Sequence, residues 1–256
     1  MKPRLFRYTR SCFLEQFLDG EVRFASLATY RAYEHTAIGD PQEGKFRIQG
    51  EAQVVRPSKG RRGKRRRALR APPPPESFTV PGFFDSDALV AETYVFCTSR
   101  VRSIELALEF GDACVEITDV DAFTSRLREK IAKTLPYDVL LDGPVEYHPE
   151  GAKDPTGIVW AFPDRIAMRK RDRYRYQCED RFLLGDRRAL ELHQPRPSFC
   201  PGDAPPPPGP APTLAVPFRV VQIGDIRDIT RPHRYWWITL RVAAAWRRLR
   251  KRFMTP

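Results

Sequence analysis

The sequence predicts an α+β fold, a mixed and mostly antiparallel sheet core with three to four helices, plus a basic helix at the C-terminus. Two observations lead there. Short β-branched and aromatic runs outnumber the helical segments, and the few helices are scattered between those runs. No internal repeat is visible, and 256 residues with 41% hydrophobic and 30% charged content suffice for one sizeable core.

The elements follow in order. Leu5–Thr9 is a short strand. Ser11–Asp19 is a helix with Phe13, Leu14, Phe17 and Leu18 along one side, stopped by Gly20. Glu21–Ala25 and Lys45–Val55 are strands, separated by a polar loop that contains Gly39–Gly44. Glu92–Ser99 is the most strongly strand-like run, rich in aromatic and β-branched residues. Ser103–Phe110 is a short helix closed by Gly111, and Ala113–Thr118 is a strand. Thr118 or Asp119 caps a helix on which Phe123, Leu127 and Ile131 share a face. Pro144–His148 is strand-like, Ile158–Phe162 is short and apolar, and Tyr174–Leu184 reads as a partly buried strand. Phe218–Ile223 is the last strand, ending at Gly224.

The 25 prolines and the net charge of +12 are unevenly distributed. Arg56–Arg70 holds nine Lys/Arg and no acid, and Arg241–Arg252 holds six and no acid. Removing those fifteen charges from +12 leaves the rest of the chain at −3. The first run, followed by Pro72–Pro75, has too few apolar residues to fold alone. It predicts a disordered basic and proline-rich insertion over about 56–77. Arg61, Arg62, Lys64, Arg65, Arg66 and Arg67 are its candidate contacts to nucleic acid or another polyanion, acting by counterion release. No aromatic residue is interleaved with them, so base stacking is not predicted there. The second run lies in an amphipathic pattern: Ile238, Val242, Ala245, Trp246, Leu249 and Phe253 recur at helical spacing. Arg247, Arg248 and Lys251 are candidate anion contacts for nucleic acid or an anionic membrane surface, and docking of the apolar stripe on the domain is the alternative. The domain plan is therefore a single α+β domain over 1–194, a proline-rich linker over 195–217, and a C-terminal strand and basic helix over 218–256.

Several function classes are disfavoured. No apolar run approaches the ~18 residues of a membrane span, and no secretory hydrophobic region follows Met1–Leu5. The five cysteines are widely spaced and form no CxxC pair. They read as thiols in a reducing cytoplasm, not as zinc ligands. His35, His148, His193 and His233 show no ligand spacing, so no metal is expected. Neither a glycine-rich phosphate loop nor a GxSxG elbow occurs.

The order of motifs resembles a bacterial family known only as domain-of-unknown-function family 2971. The matching pieces are LFRYT, SCFLEQFLDG, EVRFAS, the acidic turn Asp40-Pro41-Gln42-Glu43, YVFCTS, SIELALEFG and ACVEITD. Lys170 to Arg181 follows, with Tyr174, Gln177, Glu179 and Arg181 in matching places. The resemblance covers most of 4–184. It departs at the basic insertion, at a helix after Ser99 lacking the usual Trp and Tyr, and at Gln177 in place of a Glu. The family implies no established activity.

A second resemblance concerns chemistry. Arg7 on the first strand, Thr98-Ser99 ending a central strand, and Gln177-x-Glu179 on a late strand are similar to the motif order of ADP-ribosyltransferases. That resemblance implies an NAD-using transferase or glycohydrolase of toxin or phage-defence type, with NAD as co-substrate. Arg7 would bind the pyrophosphate, and Thr98 and Ser99 would brace the nicotinamide pocket. Glu179 would stabilise an oxocarbenium-like transition state, with Gln177 on the same strand face toward the acceptor. The same residues also admit a structural reading: Glu179 and Arg181 as a same-face ion pair, and Arg7 as a cap on a sheet edge. The alternative function is a non-catalytic module that binds nucleic acid or an anionic surface through its two basic segments.

Overall fold

A computed structural model of the chain describes residues 4–32, 45–56, 76–87, 92–149, 162–192, 198–201 and 218–234. The strands are β1 (Leu5–Thr9), β2 (Glu21–Ser26), β3 (Lys45–Arg56), β4 (Glu76–Asp87), β5 (Thr93–Ser99), β6 (Ala113–Ile117) and β7 (Asp138–Pro144). They continue with β8 (Glu146–His148), β9 (Arg169–Arg171), β10 (Glu179–Asp186), β11 (Ser198–Pro201), β12 (Phe218–Gln222) and β13 (Thr230–Arg234). The helices are α1 (Leu14–Leu18), α2 (Leu27–Ala32), α3 (Ile104–Phe110), α4 (Val120–Thr134) and α5 (Pro163–Ala167). The fold is α+β, as expected.

Eight strands form the main sheet. Its path runs β12-β2-β5-β1-β6-β13, with β10 joined to β5 and β7 joined to β10. All these pairings are antiparallel. β5 is the hub. β10 pairs along its whole length, from Gly185↔Thr93 to Glu179↔Ser99. Its other edge is shared, by β2 at Tyr94 and Val95 and by β1 at Ser99. The sheet therefore forks beside Cys97. A smaller antiparallel sheet, β11-β4-β3, and a parallel pair, β8-β9, complete the layout.

Alternation along β5 and β10 sends Tyr94, Phe96, Phe182 and Leu184 to one face, where α1 and α4 cover them. Phe96 lies at the centre, its ring 5.8–6.0 Å from those of Phe17, Phe24, Phe123 and Phe182. Phe123, Leu127 and Ile131 supply the buried stripe of α4, and Asp119 caps it by accepting from the Ala122 amide. Val95 and Leu183 face the other side, against Leu27, Ile166 and Ala167. A third cluster joins Tyr8 and Cys114 to Leu106 and Ala107 of α3.

Four expectations need correction. The run Tyr174–Leu184 is not one strand: Asp172–Gln177 is a 3-10 turn and the strand starts at Glu179. The buried residues Tyr174 and Gln177 are three apart, the 3-10 repeat, and the reading of period two passed over it. β12 is not the last strand, because Thr230–Arg234 pairs with β6 at the far edge. Ser198–Pro201, inside the segment read as a linker, is a strand on β4, and Glu76 and Ser77 belong to β4, not to the insertion.

Candidate functional site

The fork in the main sheet positions Arg7. Cys97 falls between the two pairings on its edge of β5, and Arg7 Nη1 donates to its carbonyl oxygen at 2.7 Å. The guanidinium carbon lies 4.7 Å from the centre of the Phe96 ring. Arg7 thus supplies a donor to a carbonyl that strand pairing leaves open, inside the sheet and not at its edge.

Glu179 lies across β5, opposite Ser99. Its two oxygens are both taken. Lys170 Nζ donates to Oε2 at 2.9 Å and Arg181 Nε donates to Oε1 at 2.7 Å. Lys170 also donates to Gln177 Oε1 at 2.8 Å, and Arg181 Nη1 donates to the Ala167 carbonyl. Above the cluster, Tyr147 Oη accepts the Glu179 amide at 2.8 Å. Glu179, Gln177, Lys170 and Arg181 are 6%, 4%, 8% and 1% exposed, so the charges compensate one another away from water.

The electrostatics follow from that enclosure. Burial pushes the Glu179 carboxyl up, but Arg181 and Lys170 outweigh it and hold the group well below the usual carboxylate range. Burial, reinforced by the Glu179 charge, pushes the Cys97 thiol up to about 12 and the Tyr147 phenol up to about 12. Tyr30, 3.6 Å from Cys97 Sγ, is raised chiefly by burial, and it senses both Arg7 and Glu179. Burial thus favours the neutral thiol and phenols beside the Glu179 anion.

The structure gathers Ser99, Gln177 and Glu179 around this one cluster, leaves Arg7 on the neighbouring Cys97 carbonyl and Phe96 ring, and separates Thr98 from them. Ser99 Oγ donates to the Gln177 carbonyl at 2.7 Å, pinning the turn to β5. Thr98 alternates to the opposite face, where its hydroxyl donates to the Asp180 carbonyl at 3.0 Å. Gln177 and Glu179 do not share a strand face by period two. Cys178 between them is left-handed, with φ 42°, and that corner turns both side chains toward Lys170. The Glu179–Arg181 spacing is legible in the sequence, whereas the roles of Lys170 and Tyr147 are not. Lys170 opens the motif that ends at Arg181, and the register of the short parallel pair, Tyr147↔Lys170, brings Tyr147 beside it.

A polar hollow of about 320 Å³ opens elsewhere, between α4 and the ends of β5, β7 and β10. Arg100, Thr124, Arg128, Asp142 and Asp180 are among its walls and Glu179 is not. Within it Arg100 is tied to Asp180 at 2.7 Å and Arg128 to Asp142 at 2.6 Å. Among the described residues, no group of three or more His, Cys, Asp or Glu is arranged to hold a metal ion. No helix among them is long and apolar enough to cross a membrane.

The candidate contacts Arg61, Arg62, Lys64, Arg65, Arg66, Arg67, Arg247, Arg248 and Lys251 lie outside the described residues, as do the segment expected to form a C-terminal helix and residues 158–161. Comparison with known protein families, curated proteins and solved structures finds no match to the chain.

Proposed function

We propose that the protein is a nucleic-acid-binding module that acts through its two acid-free basic segments, carried on a nearly neutral scaffold. One observation supports this most: fifteen Lys/Arg fall in Arg56–Arg70 and Arg241–Arg252 with no acid among them, while the remainder of the chain carries −3. Several of the scaffold's own cations are paired internally. Arg227 pairs with Glu15, Asp19 and Asp225, Arg126 with Asp228, and Arg219 with Asp138. A polyanion therefore meets its unbalanced positive charge in the two segments, where phosphate contacts release counterions. The free thiols Cys97 and Cys114 suit a reducing cytoplasm.

The test is retention of a labelled oligonucleotide by the full chain, in parallel with vesicles containing anionic lipid. Binding to the oligonucleotide that collapses when Arg61, Arg62, Lys64, Arg65, Arg66 and Arg67 become Gln is the expected result. Binding to vesicles alone would move the reading to a membrane surface.

A second reading rests on a separate observation. Ser99, Gln177 and Glu179 meet in one cluster with Arg7 on the adjoining strand, which supports an NAD-using ADP-ribosyltransferase or glycohydrolase of toxin or phage-defence type. Its difficulty is that both Glu179 oxygens are engaged by cations, so NAD would have to displace Lys170 or Arg181. Turnover of NAD by the unsubstituted protein would favour it. No turnover, from protein shown to be folded, would leave Glu179 a structural residue. The likeness to family 2971 adds no activity to either reading.

A further inference from the structure

The polar hollow at α4 lies on the opposite face of the main sheet from Glu179, because Asp180 and Glu179 alternate along β10. One face of α4 forms a wall: Asp121, Thr124, Ser125 and Arg128 follow helical spacing. Leu5 and Val120 make part of the lining apolar. The space of about 320 Å³ is at the small end of the ~300–1,000 Å³ of small-molecule sites, and it has room for one sugar ring.

The charges of the hollow cancel locally. Arg100 Nε and Nη2 both lie 2.7 Å from Asp180 Oδ2, and Arg128 Nη2 lies 2.6 Å from Asp142 Oδ1. With Asp121, three carboxylates line it against two guanidinium groups, so an anion gains no net attraction. Each ion pair still has hydrogen-bonding capacity to spare. Among the described residues, Asp180 Oδ1 and Asp142 Oδ2 accept no hydrogen bond, and neither arginine donates one from Nη1.

Thr124 carries the argument from capacity to ligand. It is 7% exposed, yet its hydroxyl has no hydrogen-bond partner among the described residues. Thr134, on the same helix, donates to the carbonyl of Lys130 four residues back. Thr124 lacks that bond and stands on the wall of the hollow. A nearly buried hydroxyl left without a partner costs free energy, which a ligand in the hollow recovers. The exposed Ser125 hydroxyl beside it is unpartnered among the described residues as well.

We propose that this hollow binds a neutral polyhydroxylated ligand of monosaccharide size. Ligand hydroxyls donate to the open oxygens of Asp180 and Asp142 and accept from Arg100, Arg128 and Thr124. Hydrogen bonds to charged groups are the stronger kind, and here the ion pairs are balanced before the ligand enters. The site needs no unpaired cation and is independent of the basic segments.

The experiment uses the full chain and saturation-transfer NMR of the ligand, with D-glucose, D-galactose, D-mannose and D-ribose titrated separately. At least one should bind saturably. That sugar should bind about tenfold or more tighter than a deoxy form of itself, and its phosphate ester should bind no tighter. Thr124→Val keeps the branched shape and should weaken the sugar about fivefold or more, whereas Thr124→Ser should retain it. Circular dichroism and thermal melting establish that both variants are folded. Saturable binding of none of the four sugars overturns the proposal. Tighter binding of the phosphate ester overturns the neutral ligand and makes the hollow an anion site. Undiminished binding by folded Thr124→Val places the sugar elsewhere and also overturns it.

Discussion

Arg181 and Glu179 stand two residues apart on one face of β10, and the Arg181 Nε donates to the Glu179 Oε1 at 2.7 Å with both side chains almost wholly buried. Lys170 closes the other side. One carboxylate thus balances two buried cations. Glu179→Gln leaves those cations uncompensated and should cost about 3–5 kcal/mol, read from denaturant unfolding.

The same carboxylate sets a pH dependence. Its folded pKa is depressed, so its contribution is fully present above the unfolded value near 4.5 and is lost as pH falls toward the folded value. Asp138 and Asp180 are raised chiefly by burial and act in the opposite sense, favouring the fold as they protonate. Melting temperature should fall between pH 5 and pH 3 in the parent and fall less steeply in Glu179→Gln. Parallel profiles would show that Glu179 does not govern acid stability.

Arg7 substitutes for a missing strand at the fork. Arg7→Met keeps the packing stem and removes the donor to the Cys97 carbonyl, which should cost about 1–3 kcal/mol. Amide exchange should quicken most where β1, β2 and β5 meet. A variant as stable as the parent would mean that water serves that carbonyl equally well.

Tyr8 ties β1 to the start of α3. Its hydroxyl donates to the Val101 carbonyl at 2.9 Å and accepts the Ser103 amide at 2.6 Å. Tyr8→Phe strands both groups, and a loss of about 1–3 kcal/mol is expected, with faster exchange of the Ser103 amide.

Gly20 stops α1 at φ 90°, and a Cβ there would lie 1.9 Å from the Gly224 carbonyl oxygen. Conformation and backbone contact both exclude a side chain. Gly20→Ala should destabilise by about 1–3 kcal/mol or more, measured by thermal melting, because β12 must also shift.

Local rules made the fold readable where one periodicity dominates. The α4 stripe Phe123–Leu127–Ile131, the Asp119 cap and the β-rich run before Ser99 each carry their own signal. What escaped depends on distant partners. β13 contains Pro232 and two charged residues, and only its pairing with β6 makes it a strand. The turn at Asp172–Gln177 alternates Arg and Tyr as a strand does, and the left-handed Cys178 gives no warning in sequence. The site was half visible for the same reason. Arg7, Ser99, Gln177 and Glu179 could be named one by one, but Lys170 enters through the register of β8 and β9, and Thr98 leaves through strand alternation.

The most direct test of the central claim is the salt dependence of oligonucleotide affinity for the full chain and for a variant with the nine Lys/Arg of Arg56–Arg70 changed to Gln. If those residues meet phosphates, log affinity falls linearly with log salt in the parent, and the variant's slope is shallower by several units, at ~0.7 for each phosphate neutralised. Identical slopes would contradict the assignment of binding to this segment.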